Sequence, residues 1–228
     1  PANSGVYTAT YTAQTVGTDL KATLKLDGWT DSSISDAYAI THGQAAALHS
    51  TIERDRASYV SGEVITVTVT LKDAAGNAVP GQTASLKDAV TVPGAAPKDA
   101  WSETPANSGV YTATYTAQTV GTDLKATLKL DGWTDSSISD AYAITHGQAA
   151  ALHSTIKLDN TSYVSGEVMK LTVTLKDAAG NAVPGQANSL KDAVTVPNAE
   201  PKDAWSETPA NSGVYTATYT AKTAGTGL

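Results

Sequence analysis

The sequence predicts an all-β chain made of tandem sandwich domains. Three observations carry that reading. The stretch that opens the chain at Pro1 returns at Pro105 and again at Pro209, so the period is 105 − 1 = 104 and 209 − 105 = 104. Within a period, several runs alternate apolar and polar residues with a period of two. Clusters of Gly, Pro, Asn and Asp separate those runs, and no window sustains a 3.6-residue apolar period over helix length.

The repeat is close to literal. Residues 1–52 equal 105–156 at every position, and 45–124 differ from 149–228 at 14 of 80 positions. A period near 100 residues is too long for a solenoid unit and suits a whole domain copied in tandem. Phased from Ala45, the chain divides into three parts. Residues 45–148 form a complete domain. Residues 1–44 are the last part of a preceding copy, with its last three strands. Residues 149–228 are the first part of a following copy.

The strands are read on the central copy. In "VITVTVTLK" at 64–72, Ile65, Val67, Val69 and Leu71 share one face and the threonines the other. The following copy has Met169 for Ile65, Leu171 for Val67 and Lys170 for Thr66. The inner face stays apolar, while the outer face accepts a charge. In "VYTATYTA" at 110–117, Tyr111, Ala113, Tyr115 and Ala117 share a face. "LKATLKLD" at 124–131 puts Leu124, Ala126, Leu128 and Leu130 inside. Weaker strands are expected at 48–53, 82–86, 89–92 and 138–145. Pro80, Pro93, Pro97 and Pro105 fall between the strong strands, in loops. About seven short strands in about 100 residues are the signature of an immunoglobulin-like β-sandwich, with a closed barrel of similar strand count as the alternative.

Composition excludes several functions. The chain carries a formal charge of −7 with pI ≈ 4.9, and it has no basic run. Nucleic acid and anionic membranes are therefore disfavoured as partners. There is no cysteine, hence no disulfide and no thiolate chemistry. No apolar run reaches the ~18 residues of a membrane span. Ser, His and Asp are present, but no G-x-S-x-G elbow and no phosphate-binding glycine loop occur. The chain reads as no enzyme and as needing no cofactor. A Lys–Asn isopeptide crosslink is disfavoured, because the last strand, 138–145, has no Asn.

Candidate site residues are few. Trp101 and Trp205 lie in "KDAWSE"; Trp29 and Trp133 lie in "DGWTDS". With no Phe in the chain, these rings supply apolar area for a core or for an interdomain plug. A ligand-stacking platform at Trp101, Trp133 or Trp205 would need an exposed ring. Asp131, Asp135 and Asp140 form an acidic stretch without the alternating spacing of a calcium loop, so no metal is expected. His42/His146 and His49/His153 flank the junction "THGQAAALHS" without acid or thiol at ligand spacing, and read as surface or junction residues.

The stretch "SYVSGEVITVTVTLKDAAGNAVPGQ" with "NSGVYTATYTAQTVGTDLKATL" resembles the bacterial Ig-like repeat called Big-1, found in invasin- and intimin-type adhesins, the inverse autotransporters. The resemblance covers essentially the whole chain. It implies a rod of Ig-like domains on the bacterial cell surface, held by an outer-membrane barrel and presenting a distal tip to a host-cell component. It carries over no host-binding residue.

Two further expectations concern assembly. Only "THGQAAA" separates the last strand of one copy from the next, so neighbours sit close. Each copy then adds ~35–45 Å of length, from strands of ~10 residues at ~3.3 Å each. The partial copies at the two ends are complementary, which leaves two readings: head-to-tail strand exchange between chains, or boundaries that simply ignore the domain phase.

Overall fold

The computed structural model describes residues 5–225. In the first copy, four short strands form two separate pairs. β1 (Gly17–Leu20) pairs with β4 (Tyr38–Ile40), and β2 (Thr23–Leu24) pairs with β3 (Ser33–Ile34). Residues 6–13 were expected to be a strand like their copy at 110–117, but they form none.

The central copy contributes β5 (Thr51–Arg54), β6 (Ser58–Val60), β7 (Val64–Thr70), α1 (Thr83–Ala89), β8 (Val90–Thr91), β9 (Ala95–Glu103) and β10 (Val110–Ala117). It continues with β11 (Gly121–Leu124), β12 (Thr127–Leu128), β13 (Ser137–Ile138) and β14 (Tyr142–Thr145). One sheet has the order β5-β7-β10-β9, antiparallel throughout. The opposing layer is made of two patches, β11-β14-β6 and β13-β12-β8. One core lies between the layers. Ile65, Val67, Val69, Tyr111 and Ala117 from the first layer meet Tyr59, Val90, Leu128, Tyr142 and Ile144 from the second. The described residues thus form an immunoglobulin-like, all-β sandwich fold with no closed barrel.

The alternation read in the sequence sets this core. Ile65, Val67 and Val69 have no exposed surface, and Tyr111 and Ala117 have none either. Across the two central strands, Ile65 faces Tyr115, Val67 faces Ala113 and Val69 faces Tyr111. Large rings therefore alternate with small side chains along one face, which fills the layer evenly.

Several expectations need correction. The strand expected at 82–86 is helical, in α1. Its one fully buried residue is Leu86, and the Gln82 amide at its start is held by the Tyr111 hydroxyl at 3.1 Å. Seven residues are two turns, too short for a helical period to stand out. The segment 92–97, read as a loop, leads into β9, and Pro97 lies inside that strand opposite Tyr115. β9 is an edge strand, so the missing proline N–H costs the sheet nothing on its open side. The single strands expected at 124–131 and 138–145 are each broken in two, because the chain passes from one patch of the second layer to the other. The apolar face holds through the break: Ala126 and Leu128 are fully buried and Leu130 is 9% exposed. Leu48, at the start of the strand expected over 48–53, is exposed in a short 3-10 turn, and the strand begins at Thr51. β6 was not foreseen; it runs parallel to β14.

The third copy repeats the first layer with β15 (Thr155–Leu158), β16 (Val168–Thr174), α2 (Ala187–Ala193), β17 (Ala199–Pro201), β18 (Ser206–Glu207) and β19 (Val214–Ala221). Met169, Leu171, Val173, Tyr215, Ala217 and Tyr219 build a second core, while Lys170 points to solvent.

Candidate functional site

The tryptophans come first. Trp101 sits on edge strand β9 and Trp133 on the β12–β13 loop. Both are half-buried and both pack against the central core. The Trp133 indole also donates from Nε1 to the Ala45 carbonyl at 2.8 Å. Beside it, the Ser137 hydroxyl is shared between the Ala47 and Ser50 carbonyls, both at 2.9 Å. The Trp133 loop thus ties the end of the central unit to its beginning. Trp205 is 9% exposed within the second core, and its Nε1 has no hydrogen-bond partner. Trp29 is the sequence twin of Trp133 but is 41% exposed.

The acidic stretch does not converge. Asp131, Asp135 and Asp140 are exposed; Asp135 accepts the Thr134 hydroxyl at 3.2 Å, and the Asp140 carbonyl accepts the Ser139 hydroxyl at 2.8 Å. His146 Nδ1 lies 2.8 Å from the Gly147 carbonyl, and His42 repeats this contact with Gly43. His49 and His153 lie in the 3-10 turns after each junction. Among the described residues no group of three or more His, Cys, Asp or Glu could hold a metal ion.

The most connected polar group lies where sequence reading saw only a turn. In "DAAGN", Asp177 is 1% exposed. Its Oδ1 accepts the Ala179 amide at 3.0 Å and the Asn181 amide at 2.8 Å, which closes the turn. Its Oδ2 accepts the Gly147 amide at 2.9 Å, from the junction before it. Asn181 Nδ2 donates to the Gln118 carbonyl at 2.6 Å, and its Oδ1 accepts the Val120 amide at 3.2 Å. The first junction has the same bonds at the same lengths: Asp73 with Gly43 at 2.9 Å, Asn77 with Gln14 at 2.6 Å and with Val16 at 3.2 Å. Burial raises the Asp177 carboxyl pKa, but the Asn181 side chain and the surrounding amides outweigh burial and hold it below the usual range. The Asn77 side chain and the Gly43 amide hold Asp73 at about 2.

Two clefts open on the third copy. One, of ≈ 720 Å³, is lined by Ile156, Leu158, Tyr163, Met169, Leu171 and Val196, among others. The other, of ≈ 770 Å³, lies between His146–Ala149 and Leu175, Val183 and Leu190. In the central copy the corresponding residues, Ile52, Tyr59, Ile65, Val67 and Val92, are covered by Leu128, Tyr142 and Ile144, and Trp133 reaches Ala45. The clefts are lined by the counterparts of residues that β11–β14 and the Trp133 loop cover in the central copy.

No helix among the described residues is long and apolar enough to cross a membrane. No family model matches the chain. Over 192 residues it is 33% identical to the inverse autotransporter adhesin YeeJ of Escherichia coli strain K12, covering 83% of this chain. It spans only 8% of that relative's length. Among solved structures, FdeC, an Escherichia coli adhesin, aligns over 92% of this chain and 67% of its own with 26% identity and a TM-score of 0.46. Salmonella alpha-2-macroglobulin reacted with methylamine aligns over 81% of this chain and 13% of its own, with 12% identity and a TM-score of 0.30. By its sequence, the chain is homologous to a segment of an inverse autotransporter adhesin, and it is an adhesin-related, all-β segment.

Proposed function

We propose that this chain is a non-catalytic stalk segment of a bacterial cell-surface adhesin. Its work is mechanical: stacked sandwiches of the Big-1 type hold a distal binding tip away from an outer-membrane anchor, toward a host cell. The anchor and tip belong to other parts of such a protein. The observation that carries this reading is the pair of junctions. Both are short, and both are closed by the same three backbone-directed bonds at matching lengths. A spacer needs that regularity; a recognition surface does not.

A second reading has the repeats themselves bind a host protein, glycan or sister cell. It would be favoured by a contiguous exposed patch around Trp101 or Trp133. Both rings instead lean on the core, which supports the spacer. Beads coated with this chain and presented to host epithelial cells test the choice. Attachment no greater than that of bare beads is expected. Saturable attachment, competed by free chain, would overturn the stalk reading.

Head-to-tail exchange between chains is part of the proposal. Leu24, Leu26 and Tyr38 are 51%, 55% and 49% exposed. Their sequence twins Leu128, Leu130 and Tyr142 are 0%, 9% and 2% exposed, packed in the central core. The ≈ 720 Å³ cleft of the third copy has the lining those side chains fit. The occupant is residues 21–44 of a second copy of this chain.

A further inference from the structure

From the geometry of the two junctions we infer that the Asp177–Asn181 loop, and its twin Asp73–Asn77, is a binding site for the main chain of the preceding copy. It is a latch that fixes the angle between neighbours. The inference rests on the stalk reading for its purpose but not for its chemistry.

Asn181 presents a donor and an acceptor side by side, and both are used. Nδ2 donates to the Gln118 carbonyl and Oδ1 accepts from the Val120 amide, so the carboxamide brackets Thr119 as a strand neighbour would. The Ser61 hydroxyl lies 3.1 Å from the same Nδ2. Asp177 orients this amide, since its Oδ2 accepts from Nδ2 at 2.9 Å while also taking the Gly147 amide. Two points of contact, about thirty and sixty residues upstream, define a direction as well as a distance. Gly147 lies against both partners at ordinary contact distance: an added Cβ would lie 3.4 Å from the Ser61 carbonyl and 3.6 Å from Asp177 Cβ.

The Asn side chains at both junctions meet only main-chain atoms of Gln14, Val16, Gln118 and Val120 in the preceding copy. The loops grip only the main chain of Gln118 and Val120, and of the identical Gln14 and Val16 at the first junction; Lys222 and Ala224 hold the same places in the third copy, where no such grip is present among the described residues. The Asp and Asn whose side chains do the gripping are the same in both loops, although 14 of the 80 aligned positions differ. A turn needing only its own closure would be satisfied by the amides of Ala179 and Asn181 on Asp177, and would leave Asn181 free to vary.

The chain has no cysteine, so Lys98→Cys and Lys202→Cys give two exposed label sites, one in each of the last two copies, on the full chain. The spread of the interlabel distance is measured by double electron–electron resonance. Asn181→Ala is expected to widen it at least twofold, while far-ultraviolet circular dichroism stays that of the parent. The double variant Gln118→Lys/Val120→Ala is expected to leave the width unchanged. Amide hydrogen exchange gives the second readout. In Asn181→Ala the Val120 amide is expected to exchange at least tenfold faster, while the neighbouring Thr119 amide, bonded to the Gly94 carbonyl at 2.9 Å, stays protected. A parental width and parental Val120 protection in Asn181→Ala would overturn the latch. Broadening in Gln118→Lys/Val120→Ala would overturn its dependence on the main chain alone. Loss of protection at Thr119 as well as Val120 would mean that the substitution unfolds the segment, and would overturn the assignment of Asn181 to orientation rather than folding. None of these results depends on whether the beads attach to cells.

Discussion

Asp73 accepts the Gly43 amide through Oδ2 at 2.9 Å, across the boundary between the first two copies. The bond needs the carboxylate ionised. Asp73 is held at about 2 in the fold, chiefly by the Asn77 side chain and then by Gly43, against 3.8 for a free aspartate. A depressed carboxylate contributes stability that is fully present above its unfolded pKa and disappears as pH falls through its folded value. The junction should therefore hold at pH 4 and loosen only toward pH 2. In an acid titration, the Gly43 amide proton shift should move with a midpoint near 2. A midpoint near 4 would mean that this carboxylate is not latched.

The Tyr111 hydroxyl donates to the Val79 carbonyl at 2.7 Å and accepts the Gln82 amide at 3.1 Å, in the buried core. Tyr111→Phe leaves both without their partner. It should destabilise the central unit by about 1–3 kcal/mol, read as a lower midpoint in urea with an unchanged slope.

Gly109 and Gly132 both have positive φ, at +68° and +81°, but only one is crowded. A Cβ on Gly109 would meet the Leu71 carbonyl at 2.8 Å and the Val79 nitrogen at 3.0 Å; a Cβ on Gly132 meets nothing within 4 Å. Gly132→Ala should cost about 1 kcal/mol, from backbone strain alone. Gly109→Ala should cost about 3 kcal/mol, because overpacking is added. Equal losses in thermal unfolding would contradict this packing.

Trp133 and Trp29 share one sequence and differ in surroundings. Trp133→Ala removes core contact and the bond to Ala45, and should cost about 2–4 kcal/mol. Trp29→Ala should stay within about 0.5 kcal/mol. Thermal unfolding of the two variants compares them directly. An inert Trp133→Ala would point to a ring kept for a ligand.

Head-to-tail exchange predicts oligomers that lengthen with concentration in sedimentation velocity. Leu24→Lys/Tyr38→Lys, at the donor strands, should return the chain to monomer. So should appending a second copy of residues 125–148 to its end, which would fill the cleft in cis. A chain that is monomeric at millimolar concentration would rule the exchange out.

Much of the fold is legible in the sequence because a strand that is half-buried must alternate. Ile65, Val67, Val69, Tyr111, Ala113 and Tyr115 are where the period of two places them. What escaped reading is what depends on neighbours. Pro97 lies in a strand only because β9 is at an edge. α1 is helical over seven residues with one fully buried anchor, Leu86. In the sequence the latch residues show only as turn punctuation, since Asn181 takes its second role only when Gln118, 63 residues away, lies beside it.

The eight residues "VYTATYTA" occur three times and separate the two kinds of information. The sequence by itself determined which side chains would share a face if this stretch became a strand. It also determined the 104-residue period. Whether a strand forms was decided by tertiary structure. At 110–117 the stretch lies between β7 and β9, and Tyr111 is fully buried; at 214–221 it lies between β16 and the pair β17 and β18, and Tyr215 is fully buried. At 6–13 no strand forms, and Tyr7 is 95% exposed. A helix satisfies its amides and carbonyls from its own turns, whereas a strand must find them on another segment.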